Sequence, residues 1–352
     1  MSEFVLQKDL KEISEGLEDV AQEFSGKTIL MTGSRGFLGR YISETFHYLN
    51  EHVLDKPCKF IGADNFITAG KLGESCIDRP GQTFIKHNVI EPLSIEEDVD
   101  FILHSAGIAS PFYYRANPLM TLDVAVLGSK HMLELARQKR AKYLFFSSSE
   151  IYGDPDPENV PTGEQYRGNV ACLGPRACYD ESKRLGETLC QIYHQEYGVH
   201  TNMVRPFNVF GPGMQENDYR VLPNFASRIK KKQALKVYGS GNQTRTFCYI
   251  SDAIGGFLRI AAKGVPGEPY NIGNPKPEIS MLDLAKEIQR TMEIKVSTDV
   301  IEYPDSYPAD EPNRRCPDIR KAQLQLGYDP QVSLSQGLRR FFDWALENYS
   351  DS

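Results

Sequence analysis

The chain has 352 residues, of which 40% are hydrophobic and 25% are charged, and its formal net charge at pH 7 is −7. This composition is typical of a globular protein, and the length is enough for one large or two unequal domains. The negative net charge makes nucleic acid and anionic membrane surfaces poor candidates for partners. No apolar run approaches the roughly 20 residues of a membrane span, and the N-terminus lacks the order of a signal peptide.

The seven cysteines and seven histidines are scattered along the chain. The cysteines form no CxxC pair and the histidines form no HExxH motif, so we expect no metal site. Scattered cysteines of odd number are typical of reduced thiols, which predicts a cytoplasmic location.

The first segment of the chain reads as a helical extension over residues 1–25. Apolar residues recur at helical spacing among acidic residues between positions 4 and 24, which predicts an amphipathic helix. We expect this helix to pack on the core fold or to form a dimer contact.

From Lys27 onward, short apolar runs alternate with longer helical stretches. The predicted strands are residues 28–32, 59–63, 101–105, 143–147 and 201–205. The predicted helices include residues 38–49, 119–138 and 179–197. This alternation predicts an α/β protein with a Rossmann-type, doubly wound parallel sheet over residues 26–205. Glycine, proline and basic residues in irregular order after Pro206 predict a smaller, discontinuous C-terminal substrate domain.

A glycine-rich turn follows the first predicted strand. Gly33, Gly36 and Gly39 stand at the spacing GxxGxxG between that strand and a helix. Gly33 would permit the tight turn, Gly36 would let the backbone approach a pyrophosphate, and Gly39 would let the helix pack closely. The pyrophosphate would lie at the helix N-terminus, where N–H groups point outward. The sequence therefore predicts a dinucleotide site, with a purely structural turn as the alternative.

Asp64 ends the second predicted strand. It would accept a hydrogen bond from the adenosine ribose and repel a 2′-phosphate, which favours NAD over NADP. The other residues expected at the cofactor lie in the glycine turn or after predicted strands: Arg35, Phe37, Leu38, Asn65, Phe66, Asn88, Val89, Ser105, Ala106 and Gly107.

Tyr179 and Lys183 are spaced so that they share one face of a predicted helix. Because a nearby cation favours the phenolate, we predict that Lys183 lowers the pKa of Tyr179 toward neutrality. Such a tyrosine can take a proton from a sugar hydroxyl while hydride leaves the same carbon. Ser148, Ser149 and Glu150 follow a predicted strand, where open α/β sheets bind ligands, although serine also favours simple turns.

With these motifs, the chain resembles the extended short-chain dehydrogenases/reductases that act on nucleotide sugars, and most of all the UDP-glucuronate decarboxylases (UDP-xylose synthases). The similarity covers about residues 27–345. The most specific segments are Ser149-Glu150-Ile-Tyr-Gly-Asp-Pro, Gly174-Pro-Arg176-Ala-Cys-Tyr179-Asp-Glu-Ser-Lys183-Arg, Val237-Tyr-Gly-Ser-Gly-Asn-Gln-Thr-Arg245 and Arg315-Cys-Pro-Asp318-Ile.

The resemblance implies a role for each catalytic candidate. Tyr179 would be the base for the C4 hydroxyl, Lys183 would bind the nicotinamide ribose, and Ser148 would bond a sugar hydroxyl. Glu150 would lie beside C5, and Arg315 would face the substrate carboxylate. Further substrate-binding residues would be Ser149, Asn208, Arg220, Val221, Phe225, Val237, Tyr238 and Arg245.

The resemblance also implies the domain roles and the assembly. Residues 26–205, with about 245–275, would bind NAD, and residues 206–244 and 276–352 would bind a nucleotide sugar, most of all a UDP-sugar. A homodimer would form on the helices at 119–138 and 179–197.

The implied reaction is decarboxylation of UDP-glucuronate to UDP-xylose through a 4-keto intermediate. The alternatives are a 4-epimerase, a 4,6-dehydratase or a decarboxylase that releases the 4-keto sugar, and, from another class, a non-catalytic NAD-binding regulatory module. Related dehydratases place an Asp-Glu pair where this chain has Ser149 and Glu150, which disfavours loss of water. The tuned Tyr179–Lys183 pair disfavours a regulatory module.

Overall fold

The computed structural model describes residues 5–70, 73, 79–218, 220–303 and 312–351. The strands are β1 Thr28–Thr32, β2 Lys59–Asp64, β3 Gln82–Lys86, β4 Phe101–His104, β5 Lys142–Phe146, β6 Thr201–Pro206, β7 Val209–Phe210, β8 Leu235–Tyr238, β9 Thr244–Arg245, β10 Cys248–Tyr249, β11 Pro269–Ile272, β12 Ile279–Ser280, β13 Thr298–Ile301 and β14 Arg314–Arg315. The α-helices are α1 Gln7–Gly16, α2 Phe37–His52, α3 Pro111–Ala116, α4 Pro118–Asp123, α5 Ser129–Lys139, α6 Ala177–Tyr197, α7 Val221–Lys230, α8 Ile250–Lys263, α9 Met281–Met292, α10 Arg320–Leu326 and α11 Leu334–Asn348.

One parallel sheet of seven strands organises the described residues, in the order β11-β6-β5-β4-β1-β2-β3. Every neighbouring pair in it is parallel. The predicted Rossmann-type α/β fold is therefore confirmed. The strand order reverses between β1 and β4, and the loops that leave the carboxyl ends of these two strands diverge there and open a crevice.

Three elements of the sheet domain differ from the sequence-based expectation, and one of them is the edge strand β11, which was not predicted. The predicted helix at 119–138 is interrupted, because a π-helical turn, Val124–Gly128, lies between α4 and α5. The edge strand β3 was not predicted, since its ends are polar and only its middle residues are apolar. β3 forms only through its pairing with β2, which is a tertiary contact.

The turn between β1 and α2 requires its glycines. Gly33 has a φ of 71°, in the region that side-chain-bearing residues avoid. A Cβ added at Gly33 would lie 2.7 Å from the backbone nitrogen of Ala106, in the loop after β4. The turn is thus packed directly against the neighbouring strand's loop, which brings the N-terminus of α2 to the crevice.

The N-terminal extension forms a shorter helix than expected, α1, followed by a 3₁₀ turn at Ala21–Phe24. Leu10 and Ile13 of α1 are buried in the main core. Asp9 is also fully buried and accepts hydrogen bonds from the hydroxyl groups of Tyr249, at 2.9 Å, and Tyr41, at 3.3 Å. Because a buried carboxylate needs such donors, these contacts tie the extension to the sheet domain.

The remaining strands form small sheets beyond the main one, in the pairs β7–β10 and β8–β13 and the triple β12-β9-β14. The chain returns to the main sheet at β11, which pairs with β6. Helix α10 lies in the range 276–352, which was predicted to belong to the nucleotide-sugar domain. It nevertheless contacts α8 and β11, which lie in the predicted NAD-binding part. None of the described helices is long and apolar enough to cross a membrane.

We predict that Gly33→Ala destabilises the fold, because the new methyl group meets backbone in a left-handed conformation. The expected cost is roughly 1–3 kcal/mol, seen as a lower thermal midpoint. Gly255→Ala is the matched control, since a Cβ there has no neighbour within 4 Å and the position is helical. Equal midpoints for the two variants would contradict the close approach of this turn to Ala106.

Candidate active site

A cavity of about 810 Å³ lies at the crevice, at the carboxyl ends of the sheet strands. Its wall is built from the β1–α2 turn, the loops after β2, β4 and β5, the first turns of α6, and segments of the C-terminal part from β8, β9 and β14. The cavity thus joins the two predicted binding regions in one space.

The N-terminus of α2 forms one end of the cavity. Gly36 is the N-cap residue of α2, and no side chain caps the helix. The first N–H groups of α2 are therefore left for an anionic group such as a pyrophosphate. The predicted cofactor residues that line the cavity are Gly33, Gly36, Phe37, Leu38, Gly39, Asp64, Asn65, Val89, Ser105, Ala106 and Gly107.

Asp64 stands at the edge of this end of the cavity. Its two carboxylate oxygens accept hydrogen bonds from the backbone N–H groups of Arg35 and Phe66, both at 2.8 Å. Each oxygen keeps a lone pair, so the fixed carboxylate can also accept from a ribose hydroxyl. These residues fit a dinucleotide whose ribose carries free hydroxyl groups.

Three predicted cofactor residues, Arg35, Phe66 and Asn88, do not line the cavity. The Arg35 guanidinium donates to the Gly73 carbonyl at 2.9 Å and stands over a phenyl ring in β3. Arg35 and Phe66 act through their backbone, by holding Asp64. The sequence motifs predicted the position of these residues in the loops. The direction of their side chains depends on neighbours that are distant in the chain.

Tyr179 and Lys183 lie on the buried face of α6, as the spacing predicts. Tyr179 stacks on Tyr114 with ring centres 5.3 Å apart, which fixes the direction of its phenol. The Lys183 ammonium donates to the Phe146 carbonyl at 2.7 Å and lies 5.8 Å from the centre of the Tyr179 ring. Both side chains line the cavity, so a ligand there can reach them.

The predicted lowering of the Tyr179 pKa is wrong for this structure. Burial raises the pKa of Tyr179 to about 12, and a hydrogen bond with Ser148 opposes the shift only in part. Burial also lowers the pKa of Lys183 to about 8. Lys183 directs its ammonium toward the Phe146 carbonyl, and the cost of desolvation exceeds its attraction for a phenolate.

Glu150 lies in a short 3₁₀ turn, Ser149–Tyr152, that follows β5. The Ser148 hydroxyl caps this turn by accepting from the Glu150 N–H at 3.2 Å, so Ser148 has a structural role here as well. The Glu150 carboxylate is paired with both terminal nitrogens of Arg315, one of them at 2.7 Å. Arg315 belongs to β14 and is only 4% exposed, so the pair is enclosed.

A second arginine, Arg176, also pairs with Glu150. Burial raises the pKa of Glu150, but the charges of Arg315 and Arg176 outweigh it and hold the value at about 2. Arg176 Nε also lies 3.6 Å from the buried carboxylate of Asp180, one turn along α6. Sequence reasoning assigned no role to Arg176 or Asp180, although their spacing by four residues was a signal for such a pair.

The cavity lining also includes the predicted substrate-binding residues. Those that line it are Ser149, Asn208, Arg220, Val221, Phe225, Val237, Tyr238 and Arg245. Arg245 is buried, and Arg220 is half exposed and paired with Asp218 at 3.0 Å. These two guanidinium groups suit a diphosphate, because their planar donors match its oxygens.

Comparison with known proteins identifies the family. Residues 29–273 match the model of the NAD dependent epimerase/dehydratase family. The chain is 40% identical over 330 residues to UDP-glucuronic acid decarboxylase 1 of Xenopus tropicalis, covering 93% of this chain and 74% of the relative. It is 39% identical over 315 residues to UDP-glucuronic acid decarboxylase 6 of Arabidopsis thaliana, covering 89% of this chain and 87% of the relative.

Solved structures share the fold at lower identity. An epimerase of Methanothermobacter thermautotrophicus matches with a TM-score of 0.82 and 24% identity, over 96% of this chain and 97% of that one. UDP-glucuronic acid 4-epimerase of Bacillus cereus, in complex with NAD, matches with a TM-score of 0.76 and 24% identity, over 92% and 100%. This chain therefore belongs to the NAD dependent epimerase/dehydratase family, within which it groups with the UDP-glucuronic acid decarboxylases.

Proposed function

We propose that this protein converts UDP-glucuronate to UDP-xylose and CO2, with NAD as a bound cofactor that ends unchanged. The observation that carries the proposal is the enclosed Glu150–Arg315 pair in the same cavity as Tyr179. Because Arg315 is placed to pair with a carboxylate, it can exchange Glu150 for the carboxylate of the substrate. The relatives named as UDP-glucuronic acid decarboxylases support the same reaction.

The chemistry begins at C4 of the sugar, where Tyr179 takes the hydroxyl proton. When bound, the oxidised nicotinamide supplies a hydride acceptor for C4 and a positive charge that favours the phenolate of Tyr179. Tyr179 is protonated at neutral pH in the absence of ligands, because burial raises its pKa to about 12. It can therefore donate a hydrogen bond to the C4 oxygen once that oxygen becomes a carbonyl.

Loss of CO2 then follows from the position of the carboxylate. Once C4 is a ketone, the C6 carboxylate is β to it, so the electrons of the breaking C5–C6 bond can move to the C4 oxygen. Tyr179 and Ser148 stand beside each other and can stabilise that oxyanion. The resulting enolate takes one proton at C5, after which the hydride returns to C4 and Tyr179 returns its proton to the C4 oxygen, which gives the pentose. The overall reaction therefore consumes one proton for each CO2 released.

The alternative reactions share the first step and differ at the other end of the sugar. A 4-epimerase of a sugar without a carboxylate needs no such fork, yet Arg315 and Arg176 both converge on Glu150. A 4-epimerase of UDP-glucuronate would share the fork and is distinguished by the absence of CO2. A 4,6-dehydratase needs an acid beside Glu150, where this chain has Ser149. A regulatory NAD-binding module has no need for a buried Tyr179 and Lys183 in one cavity. Release of the 4-keto sugar remains the second candidate and is separated from the first by experiment.

The test is incubation of the purified protein with UDP-glucuronate and NAD, with CO2, NADH and the mass of the nucleotide sugar followed together. We expect CO2 and a UDP-pentose without net NADH. CO2 with accumulating NADH would instead mean that the 4-keto sugar is released. Absence of CO2 from a protein that retains its cofactor would overturn decarboxylation.

We predict that Tyr179→Phe lowers kcat by roughly 10²–10⁴-fold and leaves cofactor bound, because only the proton-transferring hydroxyl is lost. Tyr113→Phe is the control, a neighbouring tyrosine that also lines the cavity. Comparable turnover by wild type and Tyr179→Phe would remove Tyr179 from the mechanism.

We predict that Arg315→Lys raises KM for UDP-glucuronate by roughly ten- to a hundredfold, because lysine cannot pair with a carboxylate through two parallel hydrogen bonds. Binding of UDP-xylose, which has no carboxylate, should change by less than about threefold. The adjacent Arg314→Lys is the control, since Arg314 is half exposed and pairs with Glu278 instead. A similar loss for both ligands would show that Arg315 holds another part of the nucleotide sugar.

We further propose that two copies of the chain form a homodimer. The support is a set of exposed apolar side chains on neighbouring helices: Leu119 on α4, Leu127 in the π-helical turn, and Leu185 and Ile192 on α6. Exposed apolar side chains grouped on adjacent elements are typical of an interface.

We predict that Leu185→Glu combined with Ile192→Glu converts the dimer to monomers, because the charges would be buried without partners. Light scattering should show the mass falling from twice the chain mass of 39.7 kDa to once that mass. Leu324→Glu is the control, because Leu324 is 87% exposed on α10, away from these helices. A wild type that is already monomeric would overturn the proposal.

We propose a cytoplasmic location as well. The six cysteines that lie in the described residues, Cys58, Cys172, Cys178, Cys190, Cys248 and Cys316, are all free thiols, as expected in a reducing compartment. Fractionation of cells that express the protein with its native termini tests this, and recovery from a membrane or secreted fraction would contradict it.

A further inference from the structure

The carboxylate of Glu150 already pairs with Arg315, the arginine that would bind the substrate carboxylate. Arg315 gives both terminal nitrogens to Glu150, and its side chain is only 5% exposed. One guanidinium face cannot hold two carboxylates with full bidentate geometry. On the proposed function, a substrate carboxylate that takes this face of Arg315 shifts Glu150 toward its second partner, Arg176.

Arg176 is itself shared with Asp180. The Asp180 carboxylate lies 3.6 Å from Arg176 Nε through one oxygen, and its other oxygen is buried with no hydrogen-bond partner among the described residues. Arg176 lines the cavity, whereas Asp180 does not. Asp180 can therefore act on the substrate only through Arg176 and Glu150.

Charges and titratable groups from four elements face Asp180. They are Arg176, Cys178 and Tyr179 at the start of α6, Glu150 in the 3₁₀ turn, Arg315 in β14 and Tyr114 in α3. The charge of Arg245 also acts on Glu150, and on the proposed function the substrate diphosphate would offset that charge. Within the described part of the chain, Arg176 and Arg315 thus face the two carboxylates of Glu150 and Asp180 when Asp180 is ionised.

A substrate carboxylate adds a third negative charge to this enclosed group. A buried charge without a partner is costly, and protonation of one carboxylate removes that cost. Glu150 keeps an arginine partner throughout, whereas Asp180 has one oxygen without any donor. Asp180 is therefore the carboxylate for which protonation is least costly.

We propose that Asp180 takes up a proton when UDP-glucuronate binds, so that Arg176 can hold Glu150 while Arg315 turns to the substrate carboxylate. Asp180 and Arg176 are then positioning residues that select a substrate with a carboxylate at C5. The inference rests on the proposed function.

The pH dependence of UDP-glucuronate binding follows from the pKa of Asp180 in the free protein. Burial and the charge of Glu150 raise the pKa of Asp180 to about 7. Below that pH Asp180 already carries its proton, and binding takes up none. Above that pH Asp180 is ionised, so binding draws a proton from solvent, and uptake approaches about one proton at pH 8. The apparent affinity for UDP-glucuronate should then weaken by up to about tenfold for each pH unit above 7.

Proton uptake is measured by calorimetric titration in buffers of different ionisation enthalpy at pH 6 and pH 8. Wild-type protein loaded with NADH is used, because NADH cannot accept hydride and the ligand is not turned over. We expect uptake of close to one proton with UDP-glucuronate at pH 8, little at pH 6, and none with UDP-xylose, which has no carboxylate. Equal proton uptake with UDP-glucuronate and UDP-xylose would overturn the proposal, and this test needs only the wild-type protein.

The variant Asp180→Asn keeps the shape of the side chain but cannot titrate. We expect it to lose the uptake at pH 8 and to show a KM for UDP-glucuronate that no longer rises between pH 7 and pH 8. Glu181→Gln is the matched control, since Glu181 is the next residue of α6, is 37% exposed and pairs with Arg184. It should behave as wild type does. A purely structural role for Asp180 would lower the thermal midpoint or kcat but leave the pH dependence of KM in place.

Other outcomes separate this inference from the proposed function. Uptake that persists in Asp180→Asn but disappears in Glu150→Gln would place the proton on Glu150 and overturn the role of Asp180. Uptake that is unchanged in Asp180→Asn, in a protein that still decarboxylates UDP-glucuronate, would refute the inference alone. Failure of wild type to bind or decarboxylate UDP-glucuronate would overturn the proposed function and this inference with it.

Discussion

The pairing of the buried Glu150 carboxylate is the constraint on which the rest of the site depends. Its partners come from the N-terminus of α6 and from β14, which are distant from it in the chain. Because an enclosed carboxylate without partners is costly, this pairing favours the arrangement in which the C-terminal part covers the carboxyl ends of the sheet. The same requirement that stabilises the fold therefore closes the cavity in which the chemistry takes place.

The Glu150 pair also explains how a shared scaffold is directed to one reaction. Solved structures at 24% identity or below have the same fold, and their names include epimerases and dehydratases. Fold alone therefore does not select the reaction. On the proposed function, the selection lies in the charges beside C5, where arginines and carboxylates must balance with and without a substrate carboxylate. A substrate with a carboxylate adds a negative charge and changes the balance between the arginines and the carboxylates, whereas a substrate without one does not.

Burial also has a strong effect on the pKa of Tyr179 in the same site. Its position one turn from Lys183 is what catalysis of C4 oxidation requires, yet burial raises its pKa to about 12. The protein alone thus holds Tyr179 as a neutral hydrogen-bond donor. Positive charge that arrives with the oxidised cofactor favours the phenolate, so proton abstraction is tied to a loaded site.

The sequence by itself determined the elements that depend on local pattern. Glycine spacing located the β1–α2 turn, apolar runs located five strands of the main sheet, and the motif around Tyr179 identified the family. The tertiary structure decided what depends on burial and distant contact. Asp9 is paired with Tyr249 of β10 and Arg340 of α11, Arg35 turns away from the cavity, and Asp180 lies against groups from three other elements. Desolvation and pairing across the chain set the pKa values and partners of such groups, and neither is encoded in the spacing of neighbouring residues.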